Sequence, residues 1–315
     1  MEQLQEAQTS GQELLPEGVG LNVNIPSDVT EGVALTKLDE TGTIDFSFGE
    51  LPEELGEGAG VLIDVAEPIT PDEVTDPESE GQRFLSGSIT VTPVDGSWVA
   101  SDEVRESLRD RVLSAPENSA TQPLNILLTN DDGYDAEGIQ VLYNVLTAAG
   151  HHVTLVAPKE QQSGTGTALD VDKILRPTEV VNVEDNQWYV DAGVRTTTWA
   201  GLDYILEGEK PDLVISGINE GENIGTGGAV SSGTVSAAVT ALLRDVPAIA
   251  ISAGIDSTEG GEAKTSQAYQ IGADYLVNLI AQLQATQGED VTILPEKTGL
   301  SINIPVRFPE GVEEI

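Results

Sequence analysis

Leu124–Gly138, LNILLTNDDGYDAEG, is the stretch on which the reading of the fold turns. Leu124, Ile126, Leu127 and Leu128 form an apolar run too short for helical spacing to develop, so they predict a buried parallel strand. The run ends in Asn130-Asp131-Asp132-Gly133. From Ala136 to Ala149 the apolar residues Ile139, Val141, Leu142, Val145 and Leu146 recur at helical spacing, and Gly150 closes the helix. A strand that runs into two acids and a glycine, then into a helix, puts the carboxylates at the carboxyl end of a sheet strand. Open α/β sheets bind ligands at that rim. Taken alone, a DDG triplet does no more than cap a helix and shape a turn; the remainder of the chain gives it further meaning.

Composition narrows the chemistry. Fourteen basic against 54 acidic side chains give a formal net charge of -40, which argues against duplex nucleic acid, whose phosphates need clustered Lys and Arg. It also repels small phosphorylated molecules unless a cation sits in the site. Salt screens such repulsion over roughly 3–8 Å, so a salty or extracellular setting suits the chain. There are no cysteines, which removes disulfides, thiolate zinc sites and Cys nucleophiles together. The two histidines, His151 and His152, are adjacent at a strand start and point to opposite faces. A Ser-His-Asp triad or a His-rich metal site is therefore not expected. Any bound metal would need oxygen ligands, pointing to Mg²⁺ or Mn²⁺, with Ca²⁺ as an alternative. No apolar run approaches the roughly 18–20 residues that span a bilayer, and residues 1–20 show no signal-peptide pattern.

Along the chain, Leu21–Pro26 reads LNVNIP and Leu300–Pro305 reads LSINIP. Gln3-Leu4-Gln5 matches Gln282-Leu283-Gln284, Leu15-Pro16-Glu17 matches Leu294-Pro295-Glu296, and Glu31-Gly32-Val33 matches Glu310-Gly311-Val312, all at the same offset. This is a repeat whose period is one whole domain. Residues 33–100 are read as β-rich, with strands at 33–38, 43–48, 61–65 and 88–92 separated by acidic Pro/Gly stretches such as 67–81. A helix is expected over 101–113 and a linker over 114–123. Beyond it, strands at 152–157, 180–191, 213–216, 248–252 and 302–304 alternate with helices at 196–206, 234–243 and 265–283, and a long glycine loop fills 217–228. The alternation predicts a doubly wound, mostly parallel sheet.

Three more loops follow strands in the manner of the aspartate pair: 157–166, with Ser163; 216–225, with Asn219 and Asn223; and Ser231–Thr234, which opens a helix. On a doubly wound sheet they can converge on one rim. Asp131, Asp132, the Ser163 hydroxyl and the Asn219 amide oxygen would make an all-oxygen site for a hard cation. Ser232, Gly233 and Thr234 at a helix N-terminus suit a phosphate group. Each loop alone is an ordinary turn or strand exit; four on the right kind of element are a pattern.

With NDDG followed by A-x-G at 130–138, AP-x4-SG at 157–164, SGIN-x-G-x-N-x-G at 216–225, SGTV at 232–235 and the late strand at 300–305, residues 124–305 resemble the SurE family of 5′/3′-nucleotidases. The QSGTG segment leans toward its secreted acid-phosphatase branch. The resemblance implies an α/β fold with a Rossmann-like, mostly parallel sheet and an added β-hairpin-rich section. It carries the family's metal ligands to Asp131, Asp132, Ser163 and Asn219. Its phosphate-binding turn carries over to Ser232, Gly233 and Thr234, with Asn130 and Asn223 at motif positions near the site. A tyrosine often precedes that turn in the family, and Ser231 stands here. The implied activity is hydrolysis of nucleoside 5′/3′-monophosphates by a divalent-cation phosphomonoesterase, in which Asp131 orients water or attacks directly. The alternative is a non-catalytic metal- or nucleotide-binding module of a tandem secreted protein. The order of parts is unusual: residues 1–113 resemble the family's C-terminal third, yet precede the α/β core at 124–315. A circular permutant, or a segment out of register from tandem units, explains this. The family further implies a homo-oligomer, dimer or tetramer, with residues 35–100 at its interface. Its bacterial members are cytoplasmic, whereas acidity and absent cysteine point to the periplasm or outside the cell.

Overall fold

The computed structural model describes residues 19–24, 32–36, 46–50, 60–65, 82–83, 86, 88–95, 100–113, 122–173, 177–256, 258, 261–286 and 292–306. The expected acidic stretch at 67–81 and linker residues 114–121 lie outside them. The chain divides into two compact units, residues 1–46 with 65–98 and residues 47–64 with 99–315.

The first unit holds a three-stranded sheet of β1 (Val19–Asn24), β2 (Gly32–Leu35) and β5 (Ser88–Asp95). β5 is central, antiparallel to β1 and parallel to β2. Val23, Val91 and Leu35 fall in one row across it, and Val23, Val33 and Leu35 are exposed.

The second unit is built on a nine-stranded sheet. Two of its strands, β3 (Phe46–Glu50) and β4 (Gly60–Val65), precede α1 (Asp102–Leu113). The others are β6 (Asn125–Thr129), β7 (His152–Pro158), β8 (Pro177–Glu184), β9 (Gln187–Val190), β10 (Leu213–Glu220), β11 (Ala248–Ala253) and β12 (Gly299–Ile304). Their spatial order is β12-β11-β10-β6-β7-β9-β8-β4-β3. The run from β12 to β9 is parallel throughout, whereas β8 is antiparallel to both β9 and β4. The expected doubly wound, mostly parallel sheet is therefore present. The chain leaves β6 toward β7 on one side and later returns to lay β10 on the other. Strand order thus reverses between β6 and β10, and a crevice opens there at the carboxyl ends.

The sequence pattern of β6 explains the layering. Successive side chains alternate between faces: Ile126 and Leu128 pack into one core layer, Leu127 into the other. Helices α2 (Glu137–Ala148) and α6 (Glu262–Ala285) pack together over the first layer, where Leu142, Leu146, Leu276 and Ile280 are fully buried. Helices α3 (Val194–Trp199) and α5 (Gly233–Leu242) pack together over the second. With both faces covered, a central strand must be apolar throughout.

Several expectations need adjusting. The helix read at 196–206 is α3 followed by one π-helical stretch, Ala200–Ile205. The glycine loop read at 217–228 is shorter: β10 runs on to Glu220, and Gly225–Ser231 forms a short helix, α4. Three glycines in seven residues argue against a helix on propensity alone, and α4 buries none of its residues; packing of its neighbour α5 against it supplies the context that local sequence lacks.

Candidate active site

The Asn130–Gly133 turn is shaped by Asn130 itself. Its Nδ2 donates to the Gly133 carbonyl at 2.8 Å, and the Gly133 N–H donates back to Oδ1 at 3.2 Å. Asn130 is fully buried, so this motif residue braces the turn. Gly133 has a φ of +112°, a region that costs a residue bearing a Cβ.

The turn aims two carboxylates differently. Asp131 is 2% exposed and lies against the first turn of α5. Thr234 Oγ1 donates to Asp131 Oδ1 at 2.6 Å. The backbone N–H groups of Gly233 and Thr234 lie beside this carboxylate and favour its charged form. A Cβ on Gly233 would stand 2.6 Å from Asp131 Cβ, so the close approach requires glycine there. Burial pushes the Asp131 carboxyl up, and the hydrogen bonds from Thr234 and Gly233 partly oppose it. Asp132 points toward β10, where the Glu220 N–H donates to its Oδ2 at 2.9 Å. Burial, with repulsion from Asp131 and Glu220, pushes Asp132 up to about 6 against the Glu220 hydrogen bond. Asp132 Oδ1 is buried and has no hydrogen-bond partner among the described residues. A buried anionic oxygen left bare is costly, and a hard cation is a natural partner for it.

The other predicted residues take distinct places. Asn219, 6% exposed, sits next to Glu220 at the end of β10 and donates from Nδ2 to the Gly221 carbonyl at 2.6 Å. That bond ties down its NH₂ end and leaves the amide oxygen as the end a cation would use. The loop after β7 is drawn to the aspartates by the Gln162 N–H, which donates to the Asp131 carbonyl at 2.6 Å. Ser163 follows directly and is exposed. Ser232 caps α5, its Oγ accepting from the Val235 N–H at 3.1 Å. Asn223 donates from Nδ2 to Ser252 Oγ at 2.9 Å and from its N–H to Asn303 Oδ1 at 2.8 Å. Asp131 is thus in direct contact with Thr234 and packs against Gly233. Asp132, Asn219 and Ser163 are brought near through neighbouring residues, and Asn223 serves β11 and β12.

Sequence reasoning passed over Glu220 and Tyr269. Glu220 acts through its backbone N–H, which no side-chain motif reveals. Tyr269 lies on α6, which reaches the rim by packing on α2 and on β10, β11 and β12, contacts that no local sequence pattern reveals. His151 is buried and accepts from the Leu124 N–H at 3.2 Å, a structural role, while His152 is exposed. Among the described residues, no group of three or more His, Cys, Asp or Glu side chains is arranged to hold a metal. The predicted set, with only two carboxylates, is of another kind.

Known proteins resemble this chain in sequence and fold. The family model described as "Survival protein SurE" matches residues 126–315. A 5′-nucleotidase SurE of Gloeobacter violaceus is 38% identical over 191 residues, covering 60% of this chain and 66% of that protein. One from Ehrlichia chaffeensis is 35% identical over 192 residues, covering 60% and 69%. The crystal structure of the SurE protein from Aquifex aeolicus superposes with a TM-score of 0.50 at 32% identity, over 60% of this chain and 68% of that one. The chain spans just under two thirds of the Gloeobacter relative's length. With more than half of its residues matched by the family model, and the aspartate-bearing strand end inside that match, the chain belongs to the SurE family.

Proposed function

We propose that this chain is a phosphomonoesterase that hydrolyses nucleoside 5′- and 3′-monophosphates to nucleoside and phosphate. The observation that carries the reading is the pair of carboxylates after β6. Asp131 is held by the N-terminal turn of α5, and beside it Asp132 carries a bare, buried oxygen. Similarity to proteins named 5′-nucleotidase supports the nucleotide class.

Asp131, Asp132, Ser163 and Asn219 would hold a divalent cation, Mg²⁺ or Mn²⁺ with Ca²⁺ as the alternative. When bound, such an ion polarises a phosphoryl oxygen and acidifies water. The chain's own contribution is positioning. The Thr234 hydroxyl and the first turn of α5 orient the Asp131 carboxylate to align water or attack phosphorus. Ser232, Gly233 and Thr234 would stabilise charge on the phosphoryl oxygens. The Gly233 and Thr234 donors now face Asp131, so substrate binding must share or take over at least one of them. Asn130 holds the turn that points both aspartates, and Asn223 anchors the loop after β10.

In the same reading, residues 1–113 are the family's C-terminal third placed ahead of the core, and the protein assembles as a homo-oligomer. Light scattering of the purified chain separates monomer from dimer or tetramer. The catalytic proposal is tested by phosphate release from a panel of nucleoside monophosphates with EDTA, then with Mg²⁺ or Mn²⁺ restored. Loss and recovery of release support it. No release with any cation from folded protein overturns it in favour of a binding module.

A further inference from the structure

On the α2–α6 side of Asp132 lies a cavity of about 310 Å³, formed where the N-terminal turns of these helices meet the ends of β10 and β11. Five of its eleven lining residues are acidic, against 54 of 315 along the chain, so it is enriched even for this protein. They are Asp132, Glu137, Glu220, Asp256 and Glu262. Asp256 is neutralised by Lys264 at 2.7 Å; the other four have no ion pair among the described residues. A tyrosine joins the acids in the wall. Tyr269 is 4% exposed, lies in the field of Glu220, Asp132 and Glu137, and its hydroxyl makes no hydrogen bond among the described residues. Tyr269 lines the cavity, so a ligand or water there is what can complete its hydroxyl. Ala136 and Ile255 add apolar surface to the same cavity.

The volume is about ten times a water's share of the liquid, far larger than a bare ion needs, and the carboxylates do not converge as a metal-ligand set. Dispersed acceptors around apolar wall patches match positive groups separated by hydrocarbon. We propose that this cavity binds a small organic polyamine, with primary ammonium groups on the carboxylates and Tyr269 Oη and its methylenes on Ala136 and Ile255. The cavity shares Asp132 with the proposed cation site, whereas Glu137, Glu220, Glu262 and Tyr269 have no part in it, and titration in EDTA keeps the test apart from phosphoester hydrolysis.

The test is calorimetric titration of the full chain with spermidine in EDTA and roughly 0.15 M salt, where diffuse attraction is screened beyond about 8 Å. One saturable site is expected. Glu262→Gln, on the exposed first turn of α6, should weaken it about tenfold, the worth of a charge-assisted hydrogen bond. Tyr269→Phe should weaken it about threefold, and Glu296→Gln, outside the cavity, should leave it unchanged. Thermal melts check that each variant is folded; Glu262→Gln decides the matter if Tyr269→Phe is not. No saturable heat overturns the proposal. So does equal weakening by Glu262→Gln and Glu296→Gln, which would mean attraction to the acidic surface at large. Tighter binding of Mg²⁺ alone, without EDTA, that Glu262→Gln also weakens would make the cavity a metal site and overturn it too.

Discussion

Asp131 and Asp132 are adjacent in sequence and opposite in circumstance. One carboxylate accepts from the Thr234 hydroxyl of α5, whereas the other keeps a buried oxygen without a hydrogen-bond partner among the described residues. Thr234→Val removes the hydroxyl that donates at 2.6 Å and should destabilise the fold by about 1–3 kcal/mol, read from denaturant midpoints at constant slope. Gly233→Ala places a methyl against Asp131; it should cost about 1–3 kcal/mol and displace the carboxylate, so phosphate release should fall more than stability does. The pH dependence has a definite sign. Asp132 rises from 3.8 in the unfolded chain to about 6 in the folded one. Between those values the folded chain binds more protons, so stability declines as pH climbs through this window and stays lower above it. Asp132→Asn, measured in EDTA, should flatten that decline and raise stability near pH 7 by on the order of 1–2 kcal/mol. An unchanged pH profile would contradict the burial of this charge. At this scale the sequence was informative about residue identity and silent about direction. The motif picked out Asp131, Asp132 and Thr234, but nothing in it separates the satisfied carboxylate from the bare one, because Glu220 acts through its backbone.

Elements were legible where one periodicity ruled. The apolar run of β6 and the helical spacing of α2 read correctly because their side chains serve the two layers of one core. The reading failed at α4, where glycines conceal a helix, and at Ala200–Ile205, where a π-helical stretch carries no compositional mark. α5 was legible through its cap: Ser232 accepts from the Val235 N–H. Ser232→Ala should cost about 1 kcal/mol of stability, seen as a lowered melting temperature. If Ser232 also meets phosphate, the same variant should raise KM for a nucleoside monophosphate. A stability loss with KM unchanged would restrict Ser232 to capping.

For the whole molecule, topology does what no single loop can. Reversal of strand order between β6 and β10 gathers the ends of both strands at one crevice, and α5 closes it from the second core layer. The parallel core could be inferred from strand–helix alternation, whereas the pairing of β4 with β8 joins segments more than a hundred residues apart and has no local signal. Leu21–Asn24 of the first hexapeptide copy and Leu300–Ile304 of the second lie in edge strands, β1 and β12, though one pairs antiparallel and the other parallel. The central claim is that the strand-end aspartates perform phosphoester hydrolysis. It is tested most directly by phosphate release from adenosine 5′-monophosphate with Mg²⁺ or Mn²⁺, comparing the unaltered chain with Asp131→Asn of unchanged circular dichroism. The account predicts turnover by the former and a loss of at least about a hundredfold in the latter. Near-equal rates from the two folded proteins would contradict it.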